Sequence, residues 1–152
     1  MAIFRISEVA ALLGVSADTV RRWVDQGRLP ARRDEHGHRT VAGADLAAFA
    51  RALAEPSGPG GSSGTPGTLG ARGPVAGTGS SARNRFRGIV TDVVRDAVMA
   101  QVEIAAGPHR VVSLMSREAA DELGLEPGVV AEAVIKSTNV VVEVPGVPRG
   151  SR

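Results

Sequence analysis

Between Glu55 and Ser80 the chain reads EPSGPGGSSGTPGTLGARGPVAGTGS, a run of Gly, Pro, Ser and Thr in which Leu69 and Val75 are nearly the only bulky apolar side chains. Such a stretch cannot bury enough apolar surface to offset the entropy of ordering it, so it reads as a flexible linker. It divides the 152 residues into a first unit over 1–54 and a second over 81–145, with a disordered tail expected at 146–152. Each unit sits near the lower size limit of a stable core, so self-association is expected. By random-coil scaling the linker spans roughly 25 to 30 Å, a tether that transmits orientation poorly.

Composition excludes several classes. Without cysteine there is neither a disulfide framework nor a thiolate metal site, and three scattered histidines make a poor zinc site. No apolar run is long enough to span a bilayer, and MAIFRISEVAALLG, with Arg5 and Glu8, lacks the pattern of a signal peptide. The expectation is a cytoplasmic protein with no membrane partner. No nucleophile, base or cation-binding constellation appears, so neither an enzyme, a catalytic cofactor nor a bound metal cation is expected. Charge is uneven: residues 1–54 hold eight arginines against six acidic residues, whereas the second unit with its tail is balanced. Lys136 is the lone lysine among 18 basic residues.

Two helical patterns follow one another in the first unit. Val9, Leu12 and Leu13 share one face, Gly14 interrupts, and Val20, Trp23 and Val24 repeat the spacing. Ser7 and Ser16 stand at N-cap positions, with Gly14 and Gly27 at the stops, which is the layout of a helix-turn-helix. Trp23 is expected in the core. The outer face of the second helix carries Thr19, Arg21, Arg22 and Gln26, and taken alone it describes either a solvated helix face or one turned toward DNA phosphates and base edges. Beyond Gly27, Arg28, Arg32, Arg33 and Arg39 surround a hairpin tip at Glu35–Gly37, where His36 and His38 read as hairpin residues rather than metal ligands. A third helix is expected over Ala44–Leu53.

The words VAALLGVS, TVRRW, GRLPA and GHR, spread over residues 3–53, resemble the winged helix-turn-helix of the MerR and excisionase-like families. Neither the long dimerising coiled coil nor the effector-binding cysteines of full MerR regulators is present. The resemblance implies binding to double-stranded DNA, with Arg21 and Arg22 on the recognition helix and Arg39 in the wing. Around them the candidate DNA-binding set is Ser16, Thr19, Arg21, Arg22, Arg32, Arg33, His38 and Arg39.

From Phe86 onward the pattern changes to strands. RGIVTDVV, AVMAQVEI, RVVSLM, VVAEAVIK and NVVVEV are β-branched runs, and EAADELGL reads as a short helix closed by Gly124. Fold class is therefore multidomain α + β: a small winged helix-turn-helix, then a five-stranded OB-like β-barrel with one short helix. Phe86 is the only aromatic residue of this unit, which argues against single-strand nucleic-acid binding by base stacking. Polar clusters at Ser81–Asn84, Ser116 and Lys136–Asn139 offer hydroxyls, amides, a guanidinium and an ammonium, a donor set that complements a small dianion. The same words also describe a basic lead-in to a strand and a turn before an edge strand.

SARNRFRGIVTDVVRDAVMAQVEI, VVSLMSREAADELGLEPG and VIKSTNVVVEV, over about residues 81–144, resemble the molbindin or TOBE domain of molybdate-binding proteins. This resemblance implies molybdate or tungstate held by Ser81, Arg83, Asn84, Ser116, Lys136 and Ser137. It also implies sites between subunits, in a homo-oligomer between dimer and hexamer. Ala119 departs from the pattern, because relatives often carry a serine there. Together the two resemblances suggest a molybdate- or tungstate-responsive transcriptional regulator of molybdate-uptake or molybdenum-cofactor genes. The alternative is an intracellular molybdate or tungstate buffer or storage oligomer with an accessory DNA-binding head.

Overall fold

The computed structural model describes residues 2–54 and 81–143; the expected linker and C-terminal tail lie outside the described residues. Strand β1 (Ile3–Arg5) leads into helix α1 (Ile6–Leu13), and helix α2 (Ala17–Asp25) follows across a tight turn. Val9, Leu12 and Leu13 are buried, and Val20 is fully so. Gly14 ends α1 at φ 66°, a left-handed conformation that glycine adopts without Cβ strain. Ser16 then caps α2, its Oγ accepting from the Thr19 amide at 3.2 Å. The start of α1 differs from expectation. The Glu8 carboxylate accepts from the Arg5 amide at 2.7 Å, satisfying an orphan donor two residues before Ser7.

Strands β2 (Arg32–Arg33) and β3 (Arg39–Ala42) form the hairpin, and helix α3 (Gly43–Ala54) follows. β1 pairs with the other edge of β3, giving the order β1-β3-β2. This strand was not expected, because three residues are too few to show an alternation. Trp23 is half-buried, its ring 5.0 Å from that of Phe49 on α3.

The second unit is an antiparallel sheet of β4 (Asn84–Arg95), β5 (Met99–Ala106), β6 (His109–Ser116) and β7 (Val130–Ile135), ordered β6-β5-β4-β7. Its longest strand serves two partners: β4 pairs with β7 over Asn84–Ile89 and with β5 over Ile89–Arg95, with a register irregularity between Val90 and Asp92. Such an irregularity bends and twists a strand. Gly88 permits the changeover, since a Cβ there would lie 2.2 Å from the Ala105 carbonyl oxygen. Helix α4 (Arg117–Glu122) buries Ala120 against Val90, Ala100, Val102, Ile104 and Leu125.

Five strands were expected and the sheet has four. After a 3-10 turn at Ser137–Asn139, Val140–Glu143 forms no strand, and Val141 and Val142 are 81% and 84% exposed. β-branched residues favour extended backbone, but a strand also needs ladder pairing with an edge, which composition alone does not supply.

Nor do the two units hang apart. Fully buried Ile89 of β4 belongs to the same apolar cluster as Phe4, Val9, Leu12, Leu46 and Phe49, with Ala105 and Val130 packed against it. The Gly107 amide donates to the Leu12 carbonyl at 2.9 Å, and Arg51 pairs with Asp92 at 3.2 Å. The loose suspension expected from composition gives way to a shared core, because each unit alone leaves apolar surface that the other covers.

Candidate functional site

The first candidate surface is built by α2 and the β2–β3 hairpin. Burying Val20, with Trp23 and Val24 partly buried, turns Arg21 and Arg22 outward. Arg22 and Arg32 have no ion-pair partner among the described residues, so their guanidinium groups are available to an incoming anion. Arg21 is engaged by Asp18 one turn earlier, an exposed pair of the kind that exchanges readily. Arg33 donates to the Gly37 carbonyl at 3.2 Å, while Ser16 and Thr19 are joined through their hydroxyls at 3.0 Å within the cap of α2. His38 lies 3.5 Å from the Asp34 carboxylate, and Arg39 is held by Asp25 at 2.6 Å. All eight expected residues thus fall on α2, its cap and the adjoining hairpin.

Two residues that organise this surface were not singled out from the sequence. Asp34 accepts from the amides of His38 and His36 at 2.8 and 2.9 Å, closing the hairpin tip around Gly37. The His38 amide bond, with smaller help from His36 and the His38 ring, holds the Asp34 carboxyl below its ordinary value of 3.8. Asp followed by Gly three residues later was the available signal. Asp25 ties the end of α2 to β3 through Arg39, and no local pattern marks a contact between residues so far apart in sequence.

The six expected oxyanion residues do not gather at one place within a chain. Asn84 opens β4 opposite Ile135 at the end of β7, and its side-chain amide donates to the Ile135 carbonyl at 3.3 Å. Ser81 and Arg83 precede this end of the ladder and Lys136 and Ser137 follow it, all four of them exposed. Ser116 lies elsewhere. It pairs with Met99, next to the Ala100–Arg95 rung, at the opposite end of β4, roughly 35 Å away along the strand contour. There its Oγ caps α4, accepting from the Ala119 amide at 3.2 Å.

Around Ser116 an open groove is lined by Ala97, Val98, Arg117, Glu118, Asp121 and Glu122. Asp121 is neutralised by Arg95 at 3.0 Å and Arg117 at 3.6 Å. Asp96 accepts from the Met99 and Val98 amides, which lower its pKa and fix the turn before β5. The two ends differ in charge. The Asn84–Lys136 rim offers donors, and the Ser116 end mixes donors with carboxylates.

A family model described as the TOBE domain matches residues 80–142, and one described as a helix-turn-helix domain matches residues 3–54. The chain is 36% identical over 63 residues to molybdenum-pterin-binding protein 1 of Clostridium pasteurianum, covering 41% of this chain and 93% of that protein. It is 39% identical over 70 residues to the molybdenum-pterin-binding protein MopA of Rhodobacter capsulatus, covering 45% and 26%. Among solved structures, the cytoplasmic molybdate-binding protein ModG with molybdate bound is 44% identical, with a TM-score of 0.44 over 45% of this chain and 50% of that one. MopII from Clostridium pasteurianum, in an apo form, is 34% identical, with a TM-score of 0.41 over 43% of this chain and all of that one.

Proposed function

We propose that this chain, which belongs to the TOBE-domain (molbindin) family and carries a helix-turn-helix domain on its N-terminal side, is a molybdate- or tungstate-responsive DNA-binding regulator. In this reading residues 1–54 are a winged helix-turn-helix. α2 enters the major groove with Arg22 foremost and Arg21 released from Asp18, and the hairpin sets Arg32, Arg33 and His38 against the backbone. Arg39, braced by Asp25, holds the wing against the helix. Residues 81–145 form the oxyanion unit, in which Ser81, Arg83, Asn84, Lys136 and Ser137 supply one wall and Ser116 another.

The observation that carries this reading is the division of the donors. Ser116 and Lys136 lie at opposite ends of β4, so a cage that uses both must draw them from two copies. Self-association also offers cover for Val112, Leu114, Val141 and Val142, all substantially exposed in the single chain. Donor groups suit a tetrahedral oxyanion, and the compact ammonium of Lys136 can approach a single oxygen. Binding of the anion then favours one assembly of DNA-binding heads over another, a coupling that is reciprocal between anion and DNA.

Fluorescence anisotropy of labelled operator fragments with and without saturating molybdate tests this function. The regulator reading expects at least a severalfold change in DNA affinity. Unchanged affinity alongside clear heats of molybdate binding would make the protein an oxyanion buffer instead.

A further inference from the structure

The packing between the two units has a specific shape. Beside the shared apolar core around Ile89, backbones of the two units approach closely at two glycine contacts, together making a seat. A Cβ added at Gly43, the first residue of α3, would lie 2.6 Å from the Gly128 carbonyl oxygen. One added at Gly14 would lie 3.1 Å from the Cα of Gly107. At the second of these points the Gly107 amide also donates to the Leu12 carbonyl, and Ile89 is fully buried in the shared core. At the rim, Arg51 of α3 pairs with Asp92 of β4.

Two close glycine approaches on either side of a close-packed apolar core restrict both the distance and the rotation between the units. The seat also has a defined position on the sheet. The β4–β7 ladder runs from Asn84–Ile135 to Ile89–Val130, roughly 17 Å, with the donor rim at one end and the seat at the other.

We propose that the head is locked to the sheet through this seat as one rigid body, so that the direction in which α2 and the hairpin point is set by the sheet and not by the Glu55–Ser80 stretch. The lock is a property of the fold and holds whether or not an oxyanion is bound. Its consequence for DNA is that the spacing between heads follows from how the sheets assemble. Shortening the connecting stretch then leaves half-site preference unchanged, the reverse of what a free tether requires.

The test uses the full chain with a protease site placed within Glu55–Ser80, cut and then analysed by size exclusion. The cut parent is expected to run as one species containing both fragments, with the Gly107 amide protected from hydrogen exchange. Gly43→Val carries the discriminating change, because Gly43 has no left-handed backbone requirement and a Cβ there meets the Gly128 backbone in the turn before β7. It should weaken head–sheet association roughly ten- to hundredfold, as forced overpacking does, and release the head. Arg51→Glu, which leaves both cores intact, should weaken association severalfold and be restored by Asp92→Arg. Separation of the cut parent into two species would overturn the lock. So would a Gly43→Val protein that holds its head as tightly as the parent.

Discussion

The head and the sheet solve the problem of collecting functional groups in opposite ways. In the head, a helix, its cap and the adjoining hairpin bring eight candidate residues onto adjoining elements of one chain, braced by Asp25 and Asp34. In the sheet, the candidate oxyanion residues fall at the two ends of the long strand β4, on its start and on neighbouring elements, so a cage using all of them would be divided. A recognition surface made of neighbouring short elements is complete as soon as the chain folds. One divided by a long strand is complete only on assembly, which makes assembly available as a control.

The largest effect that can break this contrast is expected from Lys136→Ala. Losing the only ammonium from the donor rim should lower molybdate affinity roughly tenfold to a hundredfold by calorimetry, and parent-like heats would remove that rim from the site. DNA affinity without anion should be unaltered. Next in size is Arg22→Ala, which should weaken operator binding about tenfold and reduce the slope of log affinity against log salt by about one, leaving molybdate heats untouched.

Smaller still, Asp25→Ala frees Arg39 from its brace. Because the pair is exposed, DNA affinity should shift by less than about fivefold in either direction. A loss as large as that of Arg22→Ala would show that the β2–β3 hairpin depends on this one contact. The smallest effect concerns pH. The folded state holds Asp34 below 3.8, so its contribution to hairpin stability is present above that value and is lost as pH falls through the lowered one. Amide exchange of Gly37 and His38 should accelerate over that acidic range, and Asp34→Asn should flatten the dependence.

Much of this was legible in the chain. The Ser16 cap, the Gly14 and Gly124 stops, the hairpin tip and four of five strands follow from local chemistry, in which a residue and its partner lie within a few positions. What escaped was nonlocal. β1 is too short for periodicity, and NVVVEV has the right residues for a strand, yet Val140–Glu143 does not form one. Gly43 and Gly107 read as ordinary helix-start and turn glycines, since nothing local reveals that each faces the other unit's backbone. The oxyanion words were readable, but their division was not, because strand pairing decides which ends of a sheet meet.

Mixing two defective proteins tests the divided cage most directly. Lys136→Ala and Ser116→Ala chains, each weak in molybdate binding, are unfolded together, refolded as mixed assemblies and titrated by calorimetry. If the cage forms between copies, the mixture contains junctions where an intact Lys136 rim meets an intact Ser116 end, and a fraction of sites with parent affinity appears. Heats equal to the average of the two separate variants, with no parent-like sites, would contradict the account.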